Sequence, residues 1–539
     1  LNNMSREDLI SLMKIVQEQT KKKDTEIQLL KDKQKELEFL NAMLSDRLTL
    51  AQRKQFGASS EKYAEGYEQM NLFNEAEASA DAETEELFEE IRPSSYKRKK
   101  RKGKKEEDLS NFETVATRTY KLEGEARYCP ECGKKYNVVT KEIVKRLRFV
   151  PAKFEVEEEI TYVYSCPKCG AMKRPEKEPS LIRGSIATPS LVAGIMNAKY
   201  VNGMPLARQE REFARYDLDL STKTMANWII NCADRYLKPL YQLMKEELLE
   251  SRYIHCDESR IQVLGEPEQK GTTQNWMWVY LTDEFSGSPQ MVLFDYERTR
   301  AGYHPVNFLG NRFHGYLTCD GYQAYHSLGE GIIVSGCLTH ARRRFDAALT
   351  ALKKDFTKEQ LKETIAYQAM SRIGILYKIE EMIHNKAPEE KYEERQKQSR
   401  PVMDALFEWL HTMEDSVDRS SLIGDAILYT LNQEAYLKRY LEDGHLSIDN
   451  NSAERALKNF AVGRRNWLFA KSVRGAGASA LVYSITETAL LNHLKPYKYL
   501  TYILDELRKM GAFPKEKELK KLLPWSEDLP EYCRTKLKK

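Results

Sequence analysis

Alternating polar and apolar residues between positions 252 and 297 place the strongest limit on the fold of this chain. Three runs, at 252–264, 275–283 and 290–297, have the period of two that half-buried strands show, and short polar loops join them. We therefore predict three antiparallel neighbours. The pattern continues with a helix, a strand, a short helix, a strand and a helix, at residues 300–309, 315–320, 322–328, 331–340 and 341–354. This order of elements predicts an α/β domain.

Two aspartates occupy distinctive places in this predicted domain. Asp257 lies in the middle of the first run, on the same strand face as His255 and Ser259, and Asp320 ends the fourth run just before Gly321. Taken singly, each has an ordinary interpretation, because a strand aspartate is often a surface residue and Asp-Gly is often a turn. Their significance depends on whether the fold brings them together.

A third acid, Glu454, opens the stretch "SIDNNSAERALKNFAVGRRNWLF" at residues 447–469. One interpretation is a capping box, in which Asn451 caps a helix and Glu454 reaches back to the cap. The other is one corner of a metal site that acts on a polyanion. In that case Trp467 would stack on an exposed base, and the phosphates would be bound by Arg455, Lys458, Arg464 and Arg465. A solvated cationic face and a core tryptophan are the alternatives.

Two Cys-x-x-Cys pairs, "CPECG" and "CPKCG", predict a structural zinc site. Their four thiolates complete a tetrahedral shell around one Zn²⁺ and leave no position open for catalysis, the ligands being Cys129, Cys132, Cys166 and Cys169. Residues 155–165 between the pairs alternate like a strand, as in a zinc ribbon. The other five cysteines are scattered, which favours a reducing cytoplasm over a disulfide framework.

The N-terminal segment has two further features. Apolar residues repeat in heptads over residues 9–48, which predicts a coiled coil for self-association or, alternatively, an amphipathic helix packed on its own domain. Eight acids at 75–90 and eight cations at 97–105 then form a disordered tether without apolar periodicity. The basic block either contacts phosphates or is a solvated linker, and its first six cations are Lys97, Arg98, Lys99, Lys100, Arg101 and Lys102.

Charge and hydropathy limit the class of protein. The chain has 85 Lys and Arg against 81 Asp and Glu, a formal net charge of +4, so nucleic-acid affinity must come from local clusters. We expect neither a membrane span nor a signal peptide, because no run of 18 apolar residues occurs and the first 30 residues lack an apolar core.

Residues 188–250 have helical periodicity with Ser221 as a cap, which fits ordinary helical packing or a helix-turn-helix.

Together these motifs resemble the DDE-type transposases of the insertion-sequence-66 family, and the resemblance runs nearly end to end. The stretches that carry it are "QFGASSEK", "CPECG", "CPKCG", "PLARQEREFARYDLDLS", "HCDES", "CDGYQAYH", "CLTHARRRF", "DNNSAERALKNFAVGRRNWLF" and "TALLNHLKPYKYLTYIL". The resemblance implies a ribonuclease H-like catalytic domain, in which the first and fourth strands are neighbours. Its acidic triad falls on Asp257, Asp320 and Glu454, as ligands of two catalytic Mg²⁺ (or Mn²⁺) ions.

The motif "CLTH" is similar to a Cys-x-x-His signature that several cut-and-paste transposase superfamilies carry after the second aspartate. Here it comprises Cys337 and His340, whose role is unassigned. A buried cysteine and a capping histidine at a strand-to-helix junction are the alternative.

The expected organisation is a multidomain α/β protein. Its parts are a coiled-coil helix at 1–63, a disordered linker at 64–119, a zinc ribbon at 120–176, a helical region at 177–251, a mixed-sheet catalytic core at 252–346 and 446–485, a helical insertion at 347–445 and a C-terminal helical element at 486–539.

The function that this resemblance implies is DNA transposition in the bacterial cytoplasm, at the nucleoid. The protein would bind double-stranded DNA at the element ends, cleave it and join the 3′-hydroxyl to target DNA. It would act as a homodimer or higher oligomer through the coiled coil, with small accessory proteins as further partners. The alternatives are a nuclease or resolvase that does not join strands, a ribonuclease, and a non-catalytic zinc-ribbon DNA-binding protein.

The cysteine spacing leads to a first prediction. Protein purified without added zinc should carry about one Zn²⁺ per chain, and Cys129→Ser should lose it because three thiolates hold the ion far less tightly than four. Elemental analysis measures the stoichiometry, and wild-type protein without stoichiometric zinc would contradict the prediction.

Overall fold

The computed structural model describes residues 154–165, 172–173, 175–270, 272–511 and 513–536, with the single positions 23, 124, 131 and 134. Contacts divide the chain into two units, and residues 161–539 belong to one of them. The predicted coiled coil (apart from position 23), the linker with its basic block and the four zinc-ligand cysteines lie outside the described residues, so they stay predictions as far as the structure is concerned.

A helical region precedes the sheet, as predicted. Ser221 is the cap of one of these helices, since its hydroxyl accepts a hydrogen bond from the backbone N–H of Thr224 at 3.2 Å. The helices are α1 (Pro189–Met196, continued by a π-helical turn at Asn197–Val201), α2 (Leu206–Ala214), α3 (Thr222–Cys232, continued by a π-helical turn at Ala233–Leu237) and α4 (Lys238–Glu250).

A six-stranded mixed sheet forms the centre of the unit. A separate two-residue pair, β1 (Tyr164–Ser165) and β2 (Met172–Lys173), comes before it. The sheet strands are β3 (Tyr253–Val263), β4 (Gln274–Thr282), β5 (Met291–Glu297), β6 (Gly315–Cys319), β7 (Ile332–Gly336) and β8 (Phe469–Ala470). Their order is β5-β4-β3-β6-β7, and β8 pairs with the end of β3. The predicted antiparallel meander of β3, β4 and β5 is confirmed, and β6 and β7 extend it in parallel with β3.

Two predicted strands are longer than those observed. The strand predicted at 331–340 ends at Gly336, where its pairing with β6 stops, and a helix begins at Leu338. Cys337 is therefore the cap residue of that helix, and His340 lies in its first turn. The strand predicted at 155–165 is also wrong for residues 155–163, which have no regular structure. An alternating pattern becomes a strand only where a neighbouring strand is present to pair with it.

Helices surround the sheet and form the insertion. α5 (Tyr303–Leu309), a 3₁₀ turn (Gln323–Ser327) and α6 (Leu338–Leu352) follow β5, β6 and β7. The insertion comprises α7 (Lys358–Glu363), α8 (Ile365–Ile383), α9 (Pro388–Glu394, continued by a π-helical turn at Arg395–Ser399), α10 (Arg400–Glu414), α11 (Leu422–Asn432), α12 (Glu434–Leu437) and a 3₁₀ turn (Arg439–Leu441). Side chains of α6 and the insertion share a cluster of buried residues separate from the main core. The insertion thus packs on α6 in a second hydrophobic core, which also includes Tyr253 of β3 and Tyr316 of β6.

The chain then returns to the sheet through its C-terminal helices, α13 (Asn451–Trp467), α14 (Val473–Leu491), α15 (Pro496–Lys509) and α16 (Glu516–Lys520), and a 3₁₀ turn (Glu531–Cys533). α14 runs without a break across residues 485 and 486, where we expected the core to give way to a separate C-terminal element. Among the helices that the structure describes, none has the length and apolar character needed to span a bilayer.

α14 covers the outer edge of strand β5 by hydrogen bonding to its backbone. The hydroxyl of Ser484 accepts from the N–H of Phe294 at 2.8 Å. The Thr488 hydroxyl accepts from the N–H of Val292 at 3.0 Å and donates to its carbonyl at 3.1 Å. Ser484 and Thr488 are four positions apart and so share one face of the helix. A helix with hydroxyl groups on this face thereby protects an edge strand that would otherwise expose unpaired backbone groups.

This arrangement predicts that Thr488→Val destabilises the protein. Valine keeps the shape of the side chain but leaves the buried N–H and C=O of Val292 unpaired, which should lower the free energy of unfolding by about 1–3 kcal/mol. Thr486→Val is the matched control, because Thr486 is equally buried (0 % exposed, as is Thr488). Within the described residues its hydroxyl bonds only to carbonyls of its own helix. Urea unfolding compares the two, and equal losses would contradict the assigned role.

Candidate active site

Asp257 and Asp320 extend from neighbouring parallel strands at the same level. The last observed pair between β3 and β6 joins His255 to Thr318. Asp257 lies two residues further along β3, and Asp320 lies two residues further along the chain, just past the end of β6. Asp257 is half-buried on the face of β3 that meets α13, and Asp320 is half-buried where β6 ends. The pairing of the first and fourth strands thus brings the two predicted acids together.

The electrostatics of Asp257 link it to both other acids. Burial raises the pKa of Asp257 well above its usual range, and the negative charges of Glu258, Asp320 and Glu454 raise it further. The backbone N–H of Glu258 donates to Oδ1 of Asp257 at 2.8 Å and opposes the rise. The carboxylates are therefore close enough to repel one another, and a bound cation would relieve that repulsion.

Glu454 reaches this region from the first turn of α13. Its carboxylate accepts a bidentate pair of hydrogen bonds from Arg343 of α6, at 2.9 Å from Nη1 and 2.5 Å from Nη2. Further along α13, Arg464 donates to the carbonyl of Arg260 at 2.5 Å and to the hydroxyl of Ser259 at 3.3 Å, which holds the helix against β3.

The capping-box interpretation of Glu454 is wrong. The helix begins at Asn451, the cap position is Asn450, and neither the Asn450 side chain nor Glu454 makes a capping hydrogen bond. The Asn451 amide instead donates to Asp449 at 2.7 Å. The Glu454 carboxylate is directed to Arg343 and remains available as a ligand if that ion pair opens.

Asn450 connects three segments that are distant in sequence. This fully buried residue accepts a hydrogen bond at Oδ1 from His255 Nδ1 (2.9 Å) and donates from Nδ2 to the carbonyl of Cys256 (2.8 Å). Its backbone N–H donates to Cys337 Sγ (3.2 Å). Burial lowers the pKa of His255, but the charge of Asp283, 3.1 Å from Nε2, and hydrogen bonds to Asp283 and Asn450 outweigh it and raise the pKa overall. Sequence reasoning missed Asn450; its only signal was the Asn-rich start of the helix.

Cys337 and His340 lie beside Glu454. Each of the three residues offers one ligand atom: a thiol sulfur, an imidazole nitrogen and a carboxylate oxygen. These three atoms lie within 4.8 Å of one another. Burial raises the pKa of the Cys337 thiol to about 12. The expectation of a buried cysteine is confirmed, but His340 does not act as a cap, because the cap position makes no side-chain hydrogen bond. Its Nδ1 atom is buried and has no hydrogen-bond partner within the described part of the chain.

The opposite face of β3 contributes a buried ion pair that sequence reasoning also missed. Glu258 is bound by Arg300 and by the hydroxyl of Tyr325. Arg300 also lies 3.7 Å from Asp320 Oδ2 and stacks on the ring of Tyr322, 3.8 Å from the centroid. Arg300 therefore supplies positive charge to one side of the acidic cluster and helps to orient Asp320.

The predicted DNA-contacting residues of α13 have different environments. Arg455 and Lys458 are exposed and Arg465 is half-buried, whereas Arg464 is engaged with β3 as described. Trp467 packs edge-on to Tyr200, with 6.3 Å between the ring centroids. The Nζ atom of Lys199 lies 5.0 Å from the centroid of the Trp467 ring. This is the environment of a tryptophan at the rim of the core.

Family models match much of the chain. The model described as "Transposase IS66 family" matches residues 184–478, which include the sheet, the insertion and all three acids. This chain belongs to the IS66 transposase family. The model for the "zinc-finger binding domain of transposase IS66" matches residues 126–170, and that described as "Transposase C of IS166 homeodomain" matches residues 43–110.

The zinc-finger match spans all four cysteines of the two Cys-x-x-Cys pairs and supports Zn²⁺ as a component of this IS66 transposase-family chain.

Similar proteins come from Sinorhizobium fredii (strain NBRC 101917 / NGR234) and are described as uncharacterized. Protein y4hP is 30% identical over 74% of this chain and 73% of its own length. Protein y4jD is 29% identical over 75% of this chain and 79% of its own length. Protein y4qI is 29% identical over 71% of this chain and 70% of its own length.

The contacts of Asn450 predict a large effect of Asn450→Ala. The substitution leaves the buried Nδ1 of His255 and the carbonyl of Cys256 without partners and should lower the free energy of unfolding by about 3 kcal/mol. Asn451→Ala is the matched control; its half-buried amide bonds to the adjacent Asp449, and its loss should cost about 1 kcal/mol or less. Thermal and urea unfolding measure both, and similar losses would show that Asn450 is not the connecting residue.

Proposed function

We propose that this IS66-family protein is a DDE transposase that binds double-stranded DNA at the ends of its element, cleaves it and joins the 3′-hydroxyl to target DNA. The observation that carries the proposal is the position of Asp257 and Asp320 at one level of neighbouring parallel strands, with Glu454 close enough for its charge to act on Asp257. Family membership and the zinc-finger match support action on DNA.

We assign the catalytic domain to the ribonuclease H-like class. The strand order β5-β4-β3-β6-β7, with three antiparallel strands followed by two parallel ones, supports this assignment. So does the insertion of a helical body between β7 and the helix that carries Glu454. This class of fold provides a strand pair and a later helix as rigid supports for three acids.

The donor set fits hard divalent cations. Asp257, Asp320 and Glu454 offer carboxylate oxygens, which Mg²⁺ and Mn²⁺ prefer. Burial is the main cause of the raised pKa of Asp257, and repulsion from the neighbouring carboxylates adds to it; bound cations would remove that repulsion. These residues would hold the two Mg²⁺ ions, or Mn²⁺ in their place. When bound, the ions would neutralise charge on the attacking and leaving oxygens of phosphoryl transfer.

The chain's own residues orient these acids. The backbone N–H of Tyr322 donates to Asp320 Oδ1 at 2.9 Å, and Arg300 approaches the other oxygen, so the carboxylate is held in one orientation. Arg343 neutralises Glu454 through two hydrogen bonds. When Glu454 becomes a ligand, Arg343 is released, and its planar guanidinium suits a DNA phosphate next to the site.

Cationic residues on α13 and in the linker would bind the DNA backbone. Arg455, next to Glu454, and Lys458 and Arg465, about one and three turns after it, supply exposed or partly exposed charge. The block of Lys97, Arg98, Lys99, Lys100, Arg101 and Lys102 would add a sequence-independent contact. Arg464 and Trp467 would take part at the margin of this surface, because both already contact protein. The coiled coil would supply a dimer or higher oligomer, and accessory proteins of the element would act with it.

The decisive prediction concerns Glu454→Gln. The neutral amide preserves shape but lacks the charge that offsets dehydration of a hard cation, so Mg²⁺-dependent cleavage should fall about a thousandfold or more, about 4 kcal/mol of transition-state stabilisation. Folding and binding of element-end DNA should be retained. Asp257→Asn and Asp320→Asn should be equally impaired, and the double variant hardly worse, because the three acids act as one unit.

Asp449→Asn is the matched control for Glu454→Gln. Asp449 lies five residues earlier, but its carboxylate accepts hydrogen bonds from Asn451 and Thr339. Cleavage by this variant should stay near the wild-type rate. If Asp449→Asn loses cleavage and Glu454→Gln keeps it, Asp449 and not Glu454 is the third acid. Assays with labelled element ends and a target plasmid also separate the alternatives, since cleaved but unjoined ends would indicate a nuclease.

A further inference from the structure

The ligand set formed by Cys337, His340 and Glu454 has a different chemistry from the three-carboxylate set. It offers a thiol sulfur, an imidazole nitrogen and a carboxylate oxygen, all within 4.8 Å of one another. Thiolate and imidazole are the ligands that Zn²⁺ prefers, whereas Mg²⁺ prefers oxygen donors alone. A cation selected by this set is therefore not the one selected by Asp257 and Asp320.

Local structure arranges these donors for a common ligand. Cys337 and His340 are three positions apart at the start of α6, so their side chains share one side of the first turn. Glu454 comes from the first turn of a second helix, α13. Three donors from two separately anchored helix starts resemble the protein share of a four-coordinate zinc site with one position open.

An independent observation points to a missing partner. Buried nitrogen atoms are normally hydrogen-bonded, yet Nδ1 of His340 is buried and has no hydrogen-bond partner within the described part of the chain. The sulfur of Cys337 is oriented by the backbone N–H of Asn450 at 3.2 Å, the kind of supporting contact that metal ligands usually have. Coordination of a metal ion through Nδ1 would satisfy the unpaired nitrogen.

We propose that Cys337, His340 and Glu454 form a second zinc site, separate from the four cysteines of the zinc finger, and that Zn²⁺ bound there inhibits DNA cleavage. The second half rests on the proposed function, in which Glu454 is a ligand of the catalytic Mg²⁺ ions. A carboxylate held by Zn²⁺ is withdrawn from that role. Arg343 already bonds to both oxygens of Glu454, so Zn²⁺ would compete with this ion pair for the carboxylate.

Cobalt binding to the full-length chain tests the site directly. Protein with its zinc finger filled by Zn²⁺ is titrated with Co²⁺, which gives a thiolate-to-cobalt absorption band when a cysteine is a ligand. We expect about one additional Co²⁺ per chain with this band, displaced by Zn²⁺ and not by a large excess of Mg²⁺. Absence of a band that depends on Cys337 would overturn the proposal.

Matched variants identify the ligands. Cys337→Ser should abolish the band, and His340→Gln, a milder change at a partly buried position, should weaken Co²⁺ binding at least tenfold. Cys533→Ser is the control, because Cys533 is another buried free cysteine in a different part of the fold. If the thiolate-to-cobalt band is unchanged in Cys337→Ser, the band arises from the zinc finger, and this result counts against a metal site at Cys337. If Cys337→Ser is misfolded by circular dichroism, the result with His340→Gln decides.

Inhibition is measured separately from binding. Increasing Zn²⁺ at a fixed excess of Mg²⁺ should reduce cleavage by the wild type at least tenfold, and His340→Gln, relative to its own rate without zinc, should be much less sensitive. Cleavage that requires Glu454 without any band dependent on Cys337 would refute this inference alone. A band dependent on Cys337 in a protein whose cleavage is indifferent to Glu454→Gln would refute the proposed function and leave zinc binding standing.

Discussion

The buried hydrogen bonds of Asn450 are the interaction on which the arrangement of the site depends. They join the central strand β3, through His255 and Cys256, to the start of α6 at Cys337 and to the start of α13. An unpaired polar group in this environment would cost more than the bond itself contributes, so these hydrogen bonds favour the observed meeting of the three segments. Glu454, one helical turn after Asn450, takes its position from that junction.

Charge compensation explains why so many acids tolerate proximity. On one face of β3, Arg300 pairs with buried Glu258 and approaches Asp320; on the other side of the cluster, Arg343 neutralises Glu454. Among the described residues Asp257 has no such partner, and its raised pKa reflects burial together with the neighbouring carboxylates. The two arginines hold the outer acids in place while the centre of the cluster keeps an affinity for cations.

Glu454 belongs to two sets of ligands with different preferences. With Asp257 and Asp320 it offers oxygen only, and with Cys337 and His340 it completes a mixed set of sulfur, nitrogen and oxygen. Because a carboxylate cannot orient fully toward both, the identity of the available cation would determine which set is assembled. The Cys-x-x-His motif thereby acquires a physical relation to the acidic triad that its spacing alone does not suggest.

The sequence by itself determined the local features of this protein: the three antiparallel strands of residues 252–297, the cap at Ser221 and the helical insertion, because side-chain periodicity and caps act over a few residues. Proximity of Asp257 to Asp320 was foreseen only through a family resemblance, since strand pairing across 60 residues leaves no local pattern. Only the tertiary structure decided that strand β7 stops at Gly336 and that Glu454 pairs with Arg343 in place of a cap. It also decided that Asn450 and Arg300 organise the site. Each of these outcomes depends on which distant groups are brought close enough to bond, and burial makes those bonds strong.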